Sequence, residues 1–194
     1  KKTFLIGTLR TFWVQPNLNN EDKLNTMLKD RIAAEFNRMI VNLLPCIRGG
    51  GGRVIFVSTD YTRLVVKLPL TWKTKNAMGT IYGGSMYAST DPFFMIMLMK
   101  ILGKDFVVWD KGCTIRFKRP AKTTLFAEFL ISPEMLSEVK ASVSANHECT
   151  FTWTISYKDQ EGVVYSEFDK VLYVAKKDFY LEKQKRRSES KKLP

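Results

Sequence analysis

Apolar residues recur at helical spacing between Glu21 and Leu44, through Leu24, Met27, Leu28, Ile32, Phe36, Met39, Ile40 and Leu43. The spacing predicts one amphipathic helix with a single buried face, stopped by Pro45. Two β-branched runs follow, Val54 to Ser58 and Leu64 to Leu68, joined by the turn-forming STDYT and closed by Pro69. A further apolar stretch ends at Gly103, a residue suited to a helix C-terminus. It is apolar nearly all round, so a helix there has to be buried.

The second half alternates. Cys149, Phe151, Trp153, Ile155 and Tyr157 interleave with Thr150, Thr152, Thr154 and Ser156, which is the period of a half-buried strand. Further strands are expected at Thr114 to Lys118, Leu125 to Ile131 and Val163 to Val174, the last entered through the DQEG turn. Ser132-Pro133-Glu134 reads as a cap with proline in the first turn of a short helix reaching about Ala145. Long alternating strands with hairpin turns point to an antiparallel sheet. The fold class expected is therefore α+β, an antiparallel sheet wrapped around a central helix, with an extra N-terminal helix. The divisions expected are an N-terminal helical extension over 1–52, the main domain over 53–176 and a basic polar tail over 177–194.

Charge narrows the company the chain keeps. Thirty-one basic residues against 19 acidic ones give +12 over 194 residues, which favours anionic partners: nucleic acid, phosphorylated cofactors or acidic membranes. Part of the surplus lies in LEKQKRRSESKKLP, a solvated tail by composition. Three cysteines without a CxxC pair, and one histidine, argue against a metal site or a disulfide framework and suit a reducing, cytoplasmic setting. KKTFLIGTLRTFW lacks the apolar run and cleavage site of a signal peptide. Pro92 to Leu102 is too short to span a bilayer and is interrupted by Lys100, so no transmembrane segment is expected. His147 reads as a surface or internally satisfied side chain.

Two segments invite chemistry. RGGGGR, Arg48 to Arg53, resembles a phosphate-cradling loop but lacks the lysine and hydroxyl that follow such glycines, so a plain turn is the better reading. The other is NAMGTIYGGSMYASTDPFF, Asn76 to Phe94, with one carboxylate in an apolar context. Asp91 followed by Pro92 makes a good helix start, the Asp capping and the proline needing no N–H donor there. Alternatively the helix opens at Gly83-Gly84, whose backbone N–H groups admit a ligand, and Asp91 lies two turns along the same face in an apolar pocket. Pro92 then kinks the helix.

The pattern NxxGTxxGGxxxxxxD, here Asn76, Gly79, Thr80, Gly83, Gly84 and Asp91, resembles the signature of hotdog-fold acyl-CoA thioesterases of the phenylacetate-type group. TKNxxGTIYGGS, TDPFFMxML and VVWDKGCTIRFKRP also resemble a less characterised, tetrameric thioesterase subgroup of the hotdog superfamily, over roughly Phe36 to Lys176. The resemblance implies acyl-CoA hydrolysis in a homodimer or homotetramer, with no cofactor beyond the coenzyme A of the substrate. Asp91 would be general base or nucleophile, the Gly83 N–H an oxyanion donor, and Asn76 the holder of the water or thioester carbonyl. Active sites of the group form across a dimer interface, so Asp91 and Asn76 would come from different chains. Tyr82 stands where the group has histidine; a tyrosine can donate a hydrogen bond but by residue type is not a neutral-pH acid–base group.

Around these, Thr80, Tyr82, Gly84 and Asp110 are candidate substrate contacts, although Asp110 reads equally as a strand-end carboxylate beside Lys111. Arg116, Lys118 and Arg119, with Lys122, are candidates for the phosphates of coenzyme A, against the plainer reading of solvated strand ends. The rival function is a non-catalytic hotdog protein that binds acyl-CoA or a fatty acid as sensor or carrier. A nucleic-acid module would need aromatics interleaved with the basic residues on one face, and Phe117 alternates toward the core instead.

Overall fold

The computed structural model describes residues 20–190. The reading of KKTFLIGTLRTFW, and the last four residues of the basic tail, lie outside the described residues. The elements run α1 (Asn20–Leu43), α2 (Pro45–Gly50), β1 (Arg53–Val57), β2 (Arg63–Leu68), α3 (Gly83–Ala88), α4 (Phe93–Leu102), β3 (Phe106–Phe117), β4 (Leu125–Leu130), α5 (Pro133–Asn146), β5 (Glu148–Lys158), β6 (Val164–Lys176) and α6 (Lys177–Ser190). The strands form one six-stranded sheet in the order β1-β2-β4-β5-β6-β3, with every pairing antiparallel.

The sheet packs its apolar face on α3 and α4. Phe93 and Phe94 set their rings edge-on to Phe129 of β4 at 5.4 and 4.9 Å, and Phe94 meets Trp153 of β5 at 5.1 Å. Met97, Leu98, Leu125, Ala127, Phe129, Phe168 and Leu172 are all fully buried, so the α4 stretch is internal, as its all-round apolar character requires.

That central helix is in two pieces. Gly83 opens α3, which ends at Ala88; residues 89–92 form turns, and α4 starts at Phe93. Pro92 causes the interruption: it has no N–H to give the carbonyl four residues back, and its ring crowds that carbonyl. Ser89 and Thr90 turn their hydroxyls onto the carbonyls of Ser85 (2.6 Å) and Tyr87 (2.8 Å), completing the stop. Both sequence readings of this stretch hold a part: a helix does begin at the glycine pair, and another begins beside Pro92. Asp91 caps neither; the residue at the N-cap of α4 is Pro92, and no side chain caps it.

The N-terminal helix is present, but its orientation corrects the expectation of a buried apolar face. Leu28, Ile32, Phe36, Met39 and Leu43 point outward, Ile32 and Phe36 with 68% and 61% of their surface exposed. Inward face Ala34, Asn37, Arg38, Val41 and Asn42. The reason lies in the sheet margin, where β1 has only β2 as a partner. Asn42 accepts from Val54 N–H and donates to Val54 C=O, both at 2.8 Å, standing in for a missing neighbouring strand. Arg38 also reaches Val54 C=O, and Asn37 donates to the Tyr61 hydroxyl. Satisfying edge backbone outranks burying the stripe.

At the other end, Lys177–Ser190 forms a helix with no buried residue. Lys183 anchors it by pairing with Glu148, which also accepts from the Tyr173 hydroxyl at 2.6 Å.

Candidate active site

Inward-facing positions of β6 are Ser166, Phe168, Lys170, Leu172 and Val174, and every one is buried. A lysine in that row has to be paired. The Lys170 ammonium donates to Asp91 Oδ1 at 2.9 Å and lies 3.2 Å from Asp110 Oδ2. The interruption between α3 and α4 brings Asp91 over the strand, and a bulge in β3 brings Asp110. Up to Asp110 the β3 residues pair with β6 in one register; after it Gly112 pairs with Val171, so Lys111 is an extra residue. The side-chain alternation therefore shifts by one, and Val108 and Asp110 before the bulge share the inner face with Cys113 and Ile115 after it. Cys113 lies directly across from Lys170.

The ion cluster is asymmetric. Side-chain exposure is 1% for Lys170, 18% for Asp110 and 47% for Asp91, so Asp91 is the member most open to solvent. This corrects the expectation of an Asp91 sunk in an apolar pocket. The buried partner is the cation beneath it. Burial pulls the Lys170 ammonium down, but the pairing with Asp91 and Asp110 outweighs burial and holds it above the ordinary lysine range. Burial pushes the Asp110 carboxyl up, with Lys170 opposing. Burial also raises the Cys113 thiol. Tyr87 closes the group: Lys170 sits 5.3 Å from its ring centroid, and burial, then its hydrogen bond to Asp91, raises its hydroxyl.

A second constellation lies on the segment before α3. Asn76 N–H donates to Thr80 C=O at 2.8 Å, Gly79 adopts φ of 75° as the tight turn requires, and Lys75 bridges Ile81. The Asn76 side chain is spent inside this turn, accepting from the N–H groups of Met78 and Thr80 and donating to the Thr80 hydroxyl at 2.9 Å. Ile81 and Tyr82 then tie to Ala121 and Thr74, each at 2.8 Å, and deliver the chain to Gly83. At the start of a helix the first N–H groups have no intrahelical acceptor. Gly83 also lies under the Phe117 ring, where an added Cβ would come 2.7 Å from Cζ. The Tyr82 ring folds over Gly84, so a side chain there would require that exposed ring to move aside.

Asn76, Thr80, Gly83, Phe117, Lys118 and Arg119 line one open cleft of about 540 Å³. Of the candidates, the structure thus gathers Asn76, Thr80, Gly83, Lys118 and Arg119 on one wall, and Asp91 with Asp110 at the ion cluster. Asp91 is not among the residues lining the cleft. Arg116 is turned elsewhere, held bidentate by Asp169 at 2.6 and 3.0 Å and by Glu167 at 3.3 Å; Lys118 shares Glu167 at 3.2 Å. Those two cations are already neutralised. Arg119 lies 5.8 Å from the Tyr165 ring centroid.

Sequence reasoning missed Lys170 and Tyr87. For Lys170 a signal existed: it occupies an inward position in the alternation Ser166, Phe168, Lys170, Leu172, Val174.

Residues 33–174 match the model of a family described as a domain of unknown function, DUF4442. The chain belongs to the DUF4442 family. No curated protein matches it. Solved structures do. A Pseudomonas aeruginosa protein of unknown function, described as a "Probable Thioesterase", superposes with a TM-score of 0.65 at 17% identity over 73% of this chain and 95% of its own. A Haemophilus influenzae thioesterase gives 0.56 at 13% identity, over 74% and 90%. The PaaI protein of the E. coli phenylacetic acid degradation operon gives 0.52 at 18% identity, over 77% and 95%. At these identities the likeness establishes the fold, and the fold is the hotdog. No described helix is long and apolar enough to cross a membrane.

Proposed function

We propose that the chain hydrolyses acyl-CoA thioesters, with Asp91 as the reacting carboxylate. The observation that carries the reading is a half-exposed carboxylate at the gap in the central helix, fixed from below by a fully buried ammonium. A fixed anion facing solvent is suited to taking a proton from water as that water attacks a thioester carbonyl, or to attacking the carbonyl itself. On the first route the C–S bond breaks as the thiolate takes the proton that Asp91 removed from water; on the second the thiolate leaves an acyl–Asp91 anhydride, and water that hydrolyses the anhydride supplies the thiol proton and frees the acid. The oxyanion that forms needs donors, and the Gly83 N–H is the group assigned to it. Neighbouring hotdog proteins named as thioesterases support the chemistry.

The working unit in this reading is a homodimer, or a tetramer built from two such dimers. β3 lies at the sheet margin with one side paired to β6, and it runs 12 residues. A long edge strand invites pairing with a second copy, which would lay one protomer's Asp91 against the other's Asn76-to-Gly83 segment. Free cysteines fit a reducing cytoplasm. No cofactor enters the scheme beyond the coenzyme A of the substrate.

A second reading has its own observation. Asp91 Oδ1 is committed to Lys170 and the Asn76 amide to its own turn, an arrangement that also suits a non-catalytic acyl-CoA or fatty-acid binder. Hydrolysis across a panel of acyl-CoAs separates the two. The thioesterase reading expects wild-type turnover that falls about 10²- to 10⁴-fold in Asp91→Asn with folding intact. Tight binding without wild-type turnover establishes the binder instead.

A further inference from the structure

The RGGGGR motif has no part in the scheme above, and the structure gives it a setting. Arg48 lies in the last turn of α2, Arg53 begins β1, and between them Gly51 turns back with φ of 84°. Together with Arg38, Trp72 and Lys73 they line a cleft of about 710 Å³, a volume in the range of small-molecule sites. No carboxylate is among its lining residues. Arg38 is partly spent on Glu35 and Val54 C=O. Arg48, Arg53 and Lys73 form no ion pair among the described residues; Lys73 lies only over the Trp72 ring, 5.2 Å from its centroid. Trp72 is 82% exposed. Three cations without an acidic partner beside an exposed indole in one concavity make an arrangement for phosphate groups attached to a flat ring.

Its position ties the cleft to the candidate active site. A Cβ on Gly51 would stand 2.2 Å from Thr74, and one on Gly52 would stand 2.4 Å from the Ser89 hydroxyl. The turn is thus seated on the two segments that lead, two residues later, to Asn76 and Asp91. Meanwhile Arg116 and Lys118 already have acidic partners in Asp169 and Glu167, which Arg48, Arg53 and Lys73 lack among the described residues.

We propose that this cleft binds the phosphorylated adenine nucleotide of the thioester substrate: Arg48, Arg53 and Lys73 hold the phosphates, and Trp72 stacks on the base. The binding groups are the flanking arginine side chains rather than the glycine N–H groups of a phosphate loop. The assignment rests on the acyl-CoA reading for the identity of its ligand, and the test separates the two.

Calorimetric titration of the full chain with adenosine 3′,5′-bisphosphate and with pyrophosphate supplies the probes, at about 0.15 M salt where surface charges are partly screened. Saturable binding of the nucleotide is expected. Arg48→Ala combined with Arg53→Ala should weaken both probes about tenfold or more, since two charge-assisted contacts are lost. Trp72→Ala should weaken the nucleotide by about fivefold or more and leave pyrophosphate unchanged, because only the base stacks. All three side chains are exposed, so melting temperatures should stay at the wild-type value. No nucleotide binding by the wild type overturns the proposal, as does wild-type affinity in the double variant, or equal weakening of both probes by Trp72→Ala. A preference for single-stranded RNA over the nucleotide overturns it too. Nucleotide bound through these residues without thioester turnover keeps the cleft and removes the thioesterase. Turnover with nucleotide affinity unmoved by the variants does the reverse.

Discussion

Lys170 Nζ stands 2.9 Å from Asp91 Oδ1 although 79 residues separate them in the chain. The contact joins a buried strand position to a turn that has left the helix, and it decides which way the acid points. One oxygen is held by the lysine, and the carboxylate keeps a solvent edge. Its energetic weight comes from Asp110, the more enclosed of the two acids.

Lys170→Met should destabilise the fold by about 3–5 kcal/mol, because it leaves the Asp110 charge buried without its cation. Adding Asp110→Leu should recover part of that loss, since an apolar replacement of a whole buried pair is often near neutral. Urea unfolding of the single and double variants checks both, and a double variant no more stable than Lys170→Met would remove the pairing argument.

The glycines of RGGGGR should behave differently from one another. Gly52→Ala drives a methyl into Ser89 and Val66 and should cost about 1–3 kcal/mol as overpacking. Gly49→Ala meets nothing within 4 Å inside a short helix and should be neutral or stabilising by up to about 1 kcal/mol. Thermal melts of the two variants make the comparison.

Asn76→Ala should loosen the turn that presents Gly83. Its side-chain hydrogen bonds to Met78, Thr80 and the Thr80 hydroxyl go together, at a cost of about 1–3 kcal/mol. The local signature is faster amide hydrogen exchange at Met78 and Thr80 than at the distant β5 strand.

From β3, the Arg116 guanidinium, with the Thr154 hydroxyl assisting, holds the Asp169 carboxyl of β6 down to about 2. A depressed acid stabilises the fold above its unfolded value of 3.8, and that contribution disappears as pH falls through the folded value. Arg116→Gln should move the Asp169 titration toward the ordinary carboxylate range, followed by carbon-13 chemical shifts of the side chain. No movement would show that the guanidinium is not the cause.

Much of the frame was legible. The threonine and aromatic alternation of Cys149 to Tyr157 read as a strand and is one, and the cap at Ser132 accepts from Met135 N–H as its type predicts. The N-terminal helix was legible in extent but not in orientation. Periodicity marks an apolar stripe and cannot say that a helix will dock by Asn42 on unpaired strand backbone. At Asp91 the local signals for a cap and for a catalytic acid coincide in one tripeptide, Thr90-Asp91-Pro92, and nothing local announces that the side chain caps neither helix and pairs with the distant Lys170. The acidic partners of Arg116 and Lys118 were not legible because Glu167 and Asp169 lie on a strand that sequence distance hides.

The extra residue Lys111 acts as a phase shifter in β3. Without it, strict two-residue periodicity would let the strand direct either the Val108 and Asp110 pair or the Cys113 and Ile115 pair at the helices, but not both. A one-residue deletion at Lys111 would therefore leave the ladder continuous while turning half of the strand inside out, so this loop-free strand tolerates substitution there far better than a change in length.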